Sequence, residues 1–525
     1  MNWFDSWALT LTVLIPAVGA VVVMLIPRAE EEAIKFVALI ATLATFAVTV
    51  GILAKFDFDK GRALQFDVNK RWIDVINSHY HVGIDGISLP MLVLSGFITF
   101  LCIIYSWNHF PEPHNPKAFL ALILILEIGM NGTFIAQDLI LFFVFFEIVL
   151  LPMFFMIGVW GGPNKEYASI KFFLFTMFGS ALMLLSFLAL YFKVDVTAVT
   201  HGAMHHTFDI PTLAAAHGAG LVHSTQVLIF AGMFLGFAIK VPMFPFHTWL
   251  PDAHTEAPTV GSVLLAAVML KLGTYGFIRI ALPILPQGAQ VWAPWIGLLA
   301  VIGIIYGALC CLAQRDMKRL IAFSSVAHMG FVMLGIATLT TFGINAAVFG
   351  MVAHGIITGM LFFIAGSMQH RYHTREMSRL GGLLVSAPKM GWILGFCAMA
   401  SLGLPGLAGF WGEFPAVLSA FEPSKLANGL INGTDSTLWT FRIFMVIAAI
   451  GTVLAAGYLL WMYQRVAMGT PKPEFEDAHI HDVDTSEWIA WTPLLLGIVV
   501  FGLFPNLIFS VTNGAAEQIT RAFSG

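Results

Sequence analysis

Residues 236–242 read GFAIKVP and residues 409–415 read GFWGEFP. Gly, Phe and Pro recur at the same offsets around a single charge, Lys240 in the first copy and Glu413 in the second. Both copies sit in apolar surroundings, with Pro242, Pro245, Pro405 and Pro415 flanking the charges. Proline removes a backbone donor and breaks a helix, and broken helix at membrane depth is tolerated only where it is buried or lines a wet cavity. Interrupted spans at corresponding places in two halves of a chain are the sequence mark of a transporter's central site.

Working outward, apolar runs of bilayer length give about fourteen membrane spans. The two copies fall on the seventh and twelfth. An odd separation inverts topology, so the halves carrying them have opposite orientation in the membrane. The reading is an all-α polytopic membrane protein with broken helices. Composition agrees: 58% of the 525 residues are hydrophobic and 11% charged, against roughly 25% charged in soluble domains. The run from Trp7 to Ile26 has no positive leader and reads as a first span, not a removable signal.

Several functions are excluded. A net charge of −4 with no basic stripe offers nothing to nucleic acid. Cys102, Cys310, Cys311 and Cys397 lie in apolar runs without a CxxC pair, so this chain alone holds no iron–sulfur cluster. Neither a GxxxxGK[ST] phosphate loop nor a strand followed by GxGxxG is present. Orientation follows from Arg315, Lys318 and Arg319 before the tenth span and Arg371, Arg375 and Arg379 after the eleventh. Both clusters fall on one side, which the positive-inside rule makes cytoplasmic, leaving both termini outside.

A charge at mid-bilayer costs about 2.5–3.5 kcal/mol, so such residues are compensated and usually functional. Glu127 follows ALILIL, Glu147 sits within LILFFVFFEIVLLPMFF, Lys171 opens KFFLFTMF and Lys271 closes VLLAAVMLK. With Lys240, His328, His354 and Glu413 they place an ionisable group in nearly every central span. Carboxylate, amine and imidazole each hold or release a proton, and a series of them forms a relay. Desolvation opposes charging of a lysine and a nearby carboxylate restores it. A Glu147–Lys240 pair that opens and closes therefore switches Lys240 between releasing and holding its proton. Glu127 and Lys171 are weaker members of the set; Lys171 could also snorkel from a helix end, and His328 or His354 could be hydrogen-bonded core histidines.

GFAIKVPMFPFHTWLPDAHTEAP (236–258), together with FFEIVLLPMF, SSVAHMGF and GLPGLAGFWGEFP, resembles the antiporter-like subunits of NADH:quinone oxidoreductase, respiratory complex I. The resemblance covers nearly the whole chain. Glu rather than Lys at position 413 is similar to the family's M-type branch, the chain 13 or mitochondrial subunit 4 type.

The resemblance implies two inverted five-helix repeats with broken seventh, eleventh and twelfth helices. The expected division is three N-terminal helices in 1–112, a first repeat in 113–285, a second in 286–470 and a last helix in 471–525. It also implies roles: Glu147 tuning Lys240, Lys271 linking the halves, His328 and His354 as relay groups, and Glu413 as terminal carrier. Flavin (FMN), iron–sulfur clusters and the quinone site are then expected in other subunits, with no cofactor or metal in this chain. The partners expected are L- and N-type membrane subunits, the lipid bilayer and protons. The setting expected is a bacterial inner membrane rather than a mitochondrial one.

A subunit of a multi-subunit cation/proton antiporter is the alternative, and an inert membrane scaffold a third. Glu413 favours the redox-coupled reading over the antiporter, and the insertion cost of so many charges argues against a scaffold. His201, His205, His206, His217 and His223 in loop 194–225, and His479 and His481 in loop 464–488, read as loop histidines rather than a zinc site.

Overall fold

The computed structural model describes residues 3–428, 434–475 and 480–523. Among the described residues, thirteen helices are long and apolar enough to cross a bilayer. In order they are Trp3–Leu25, Glu31–Lys55, Ser88–Ser106, Pro116–Ile135, Leu139–Trp160, Lys165–Lys193, His223–Lys240, Thr259–Ile284, Pro286–Ala313, Met317–Ala337, Thr341–Tyr372, Ser436–Ala467 and Thr485–Leu503. One further crossing, twelfth in chain order, is made by two half-helices, Pro388–Ser401 and Ala408–Ser419, neither long enough alone. That completes the fourteen expected spans.

The first echoed stretch interrupts its helix; the second, 409–415, lies inside the half-helix Ala408–Ser419, just after the break in its span. After Lys240 the seventh span unwinds through 241–248 and resumes as Trp249–Glu256. Pro242 has no N–H to give Ala238, and Met243 N–H donates to that carbonyl instead, at 2.9 Å. The freed carbonyl of Ile239 accepts from Trp249 Nε1 at 2.9 Å. In the twelfth span Gly403 and Gly406 take φ of +80° and +94° on either side of Pro405, a conformation that favours glycine and ends the first half-helix. The fifth span is also broken, at Val149, between Leu139–Ile148 and Leu150–Trp160. Pro152 cannot bond back to Ile148, so the break falls beside Glu147.

The eleventh span, expected to be broken, is one continuous helix. It contains no proline, and its glycines serve close packing. A Cβ on Gly412 of the twelfth span would lie 2.5 Å from Gly350 Cα, so these two helices meet backbone to backbone. Irregularity appears in the eighth span instead, where π-helical turns Leu265–Met269 and Phe277–Ala281 flank the segment carrying Lys271. Such turns frequently mark functional positions.

The two basic clusters share one face. Arg375 pairs with Asp316 at 3.0 Å, and Met317 and Met377 exchange backbone bonds with Arg375 and Arg315. The opposite face carries an antiparallel hairpin, Gln65–Ile73 and Ser78–Ile84, and a C-terminal helix, Asn506–Thr520. Arg62 beside the hairpin pairs with Glu517 of that helix. On the same face His81 is gripped between Asp209 (2.5 Å) and Asp67 (2.7 Å), tying the hairpin to the loop before Ile210.

Candidate functional site

In the first half of the chain Glu147 and Lys240 face each other without touching. Lys240 is 2% exposed, and its ammonium has no hydrogen-bond partner; it lies 4.8 Å over the ring of Phe146. An aromatic face is a weak partner for a desolvated cation. Glu147 keeps one carboxylate oxygen buried and unpartnered, with Lys240 the charged group acting on it. The two groups form a pair in its open arrangement.

From the eighth span onward the contacts are direct. Lys271 is fully buried; its Nζ donates to the carbonyl of Ala266, in the π-helical turn, at 2.5 Å and stands 2.7 Å from His354 Nδ1. His354 and His328 are 6.0 Å apart between ring centroids, at 60°. His328 Nδ1 meets Glu413 Oε1 at 2.5 Å, while its Nε2 is flanked by Ser401 Oγ at 3.2 Å and Tyr458 OH at 3.3 Å. Both rings border a cavity of ≈ 20 Å³, also lined by Thr358, Ser401 and Glu413, with room for about one water. His354 Nε2 and Glu413 Oε2 are buried without protein partners. Amine, imidazole, one water's space, imidazole and carboxylate thus follow one another over two halves of the molecule.

The two weaker candidates stand apart. Glu127 is fully buried, with neither oxygen hydrogen-bonded, and joins none of these groups. Lys171 pairs with Asp252 at 2.7 Å, and Arg319 reaches the same carboxylate at 3.4 Å, so it belongs to an ion triad toward the basic face. His254 is the group that sequence reasoning missed. It is fully buried, stacks on Phe362 with centroids 4.6 Å apart, and has no partner on either ring nitrogen. Lys271 and Lys318 are the charged groups acting on it. Its neighbours in PDAHTEAP are polar, so no apolar run marked it.

The loop histidines do not converge. His217 Nδ1 meets the carbonyl of Pro283 at 3.1 Å and His223 Nδ1 meets Gln287 at 3.3 Å. His479 lies outside the described residues. The described residues hold a single group with the spacing of a metal site, His109, Asp484 and Glu487. There Arg371 already takes both oxygens of Glu487, at 2.8 and 2.7 Å.

This geometry belongs to a known class. Residues 136–438 match the profile of the NADH:quinone oxidoreductase/Mrp antiporter transmembrane family, and residues 63–133 match the amino terminus of NADH-ubiquinone oxidoreductase chain 4. The chain belongs to the NADH:quinone oxidoreductase/Mrp antiporter family. Within it, the full-length likeness is to subunits M. The NADH-quinone oxidoreductase subunit M of Rickettsia bellii is 38% identical, covering 98% of this chain and 99% of its own. That of Rhodobacter capsulatus is 39% identical, covering 98% and 96%. A chain of respiratory complex I from Thermus thermophilus superposes with a TM-score of 0.83 at 27% identity, over 98% of this chain and all of that one. A chain of the Mrp complex from Dietzia shares the fold alone, with a TM-score of 0.80 at 19% identity over 99% and 98%. The chain is an integral protein of the bacterial inner membrane.

Proposed function

We propose that this chain is a proton-translocating membrane subunit of an NADH:quinone oxidoreductase, moving protons along Glu147, Lys240, His254, Lys271, His354, His328 and Glu413. The observation that carries the reading is the run from Lys271 through His354 and His328 to Glu413, in which each neighbour is within hydrogen-bond reach or one water away. A proton arriving at Lys271 passes to His354 Nδ1; the ring releases from Nε2 through the water-sized gap to His328, which shares its other nitrogen with Glu413. Lys240, held over a ring and away from Glu147, is poised to release, and approach of the carboxylate makes it hold.

Each proton moved against 100 mV costs about 2.3 kcal/mol, within the range that burying or pairing a charge can supply. Energy for the cycle comes from quinone reduction in other subunits, which hold the flavin and iron–sulfur clusters; L- and N-type subunits flank this one. The division into 1–112, 113–285, 286–470 and 471–525, with the middle two as inverted repeats, is supported by the breaks at Lys240 and ahead of Glu413. A cation/proton antiporter subunit is the alternative, and the Mrp likeness keeps the same fold open to it. Purifying the native complex tests the choice: NADH:quinone reductase activity with bound flavin supports the proposal, and a flavin-free antiporter complex defeats it.

A further inference from the structure

On the basic face, the ends of the third, seventh, tenth and eleventh spans surround a cavity of ≈ 250 Å³. Its ionisable lining is His109, Glu112, Glu256, Lys318, His370 and Arg375. Several of these are already tied down: Glu256 accepts from the backbone of Asn164 at 3.0 Å, and Arg375 pairs with Asp316 and bonds the carbonyl of Thr255. Lys318 is different. It is 2% exposed, and its hydrogen bond is to an uncharged group, the carbonyl of Ala257. Three residues before Ala257, on the half-helix Trp249–Glu256, sits His254, whose ring nitrogens lack protein partners and which feels both Lys318 and Lys271. The charged and titratable groups facing Lys318 are Asp316 ahead of its own helix, Glu256 and His254 on the half-helix, and Arg375 from the loop after the eleventh span.

The geometry points to Lys318 as the residue through which protons leave cytoplasmic water in this cavity and enter the relay. The inference rests on the proton-translocating reading above. The neutral Lys318 amine takes a proton relayed through cavity water from the cytoplasm, the donating water regaining one from the bulk as it gives one up. The resulting ammonium gives one proton to a ring nitrogen of His254 and becomes neutral again. His254 releases the proton on its other nitrogen toward Lys271. One proton enters and one leaves, with no other bond changed. Lysine can complete this exchange and arginine cannot, because guanidinium does not release its proton in the working range. The competing role is a fixed helix cap that satisfies Ala257, which arginine would fill equally well.

The test uses the assembled complex in inside-out vesicles, reading NADH-driven proton uptake alongside NADH oxidation by ferricyanide, which needs no proton pumping. Lys318→Arg and Lys318→Met should each lower proton uptake at least about tenfold while ferricyanide reduction persists. Slowed intake should also make the residual rate rise as the cytoplasmic-side pH is lowered from about 8 to about 6, more steeply than in the wild type. A capping role gives wild-type pumping with arginine, or an equal fractional loss at every pH; either result overturns the inference. Lys271→Ala separates this from the broader reading. If Lys271→Ala fails to pump while Lys318→Arg pumps normally, only the intake assignment falls; if both pump normally, both fall. Should neither Lys318 variant assemble, Gln369→Cys at the cavity wall, labelled from the cytoplasmic side with an impermeant maleimide, decides the matter. Labelling should block proton uptake, and full uptake after complete labelling overturns the assignment.

Discussion

Lys271 Nζ and His354 Nδ1 are 2.7 Å apart although 83 positions separate them in the chain. That contact joins the eighth and eleventh spans, which belong to different halves of the molecule. In the proposed relay it links the two halves into one route. Lys271→Ala should abolish NADH-driven proton uptake by vesicles, at least about a tenfold loss, with the complex still assembled. Wild-type uptake by that variant would show that protons cross between the halves elsewhere.

Arginine should separate two kinds of lysine. Lys171 is paired with Asp252, and Lys171→Arg preserves the pair, so proton uptake should stay within about twofold of wild type. Lys240→Arg and Lys271→Arg keep the charge but cannot release the proton, and uptake should fall as far as in the alanine variants. Equal rescue at all three positions would mean that these lysines act as fixed charges.

For Glu147 the open arrangement predicts a graded series. Glu147→Gln removes the charge that tunes Lys240 and should cut proton uptake and coupled NADH:quinone turnover strongly, about tenfold or more. Glu147→Asp keeps the charge on a shorter arm and should retain part of the activity. Identical rates for Gln and Asp would exclude an electrostatic role.

Glu413 is held against His328 by a 2.5 Å contact. Glu413→Ala should lose proton uptake, since His328 then has no carboxylate to exchange with. Glu413→Lys restores a proton-carrying group and should recover some uptake, though less than wild type because an ammonium repels a protonated His328. An alanine variant that pumps normally would remove Glu413 from the route.

The outer latch has a defined pH window. Burial opposes charging of His81, but the hydrogen bonds its ring donates to Asp209 and then Asp67 outweigh it and raise the ring from 6.5 to about 9. Because the folded value is the higher one, the stabilisation is fully present below pH 6.5 and is lost as pH rises through about 9. Asp209 is lowered by the same bond, which counts once. His81→Gln should weaken the anchoring of hairpin 65–84 by up to about 3 kcal/mol near pH 7. Hydrogen exchange of the hairpin, corrected for intrinsic rate, should be faster in the variant at pH 7 and equal to wild type at pH 10. A difference that persists undiminished at pH 10 would rule out the ion pair as its source.

The spans and most groups of the proposed relay were legible in the sequence, because a charge inside an apolar run stands out by its insertion cost. Lys240, Lys271 and Glu413 all stand out that way, and Pro242 and Pro405 mark the two breaks, whereas Pro415, the counterpart of Pro242 in the echo, stays inside its helix. His254 and Lys318 were not visible, since each sits among polar or basic residues near a helix end and its burial comes from other helices closing over it. Tyr458 and Ser401 reach His328 from the thirteenth and twelfth spans, a convergence that no local pattern encodes. The break expected in the eleventh helix is absent for a local reason: without proline, every backbone bond can be kept.

The ≈ 20 Å³ gap bordered by His328 and His354 also bears on which ions can use the route. A sodium ion travels as an object and must bring oxygen ligands with it or find a ring of them waiting. This gap has space for about one water, too little for a sodium ion with its hydration shell, although Thr358, Ser401 and Glu413 bring oxygens to its wall beside the apolar Phe331, Val332 and Ile357. A proton needs no passage for its own body, because a bond forms on one side of a water as another breaks on the far side. On the proposed route the junction therefore selects by size of carrier, having room to relay a proton through a water and none for a hydrated ion. Vesicles energised with NADH should acidify while taking up no labelled sodium, and replacing Val332 by a smaller residue should be the substitution that begins to blur the distinction.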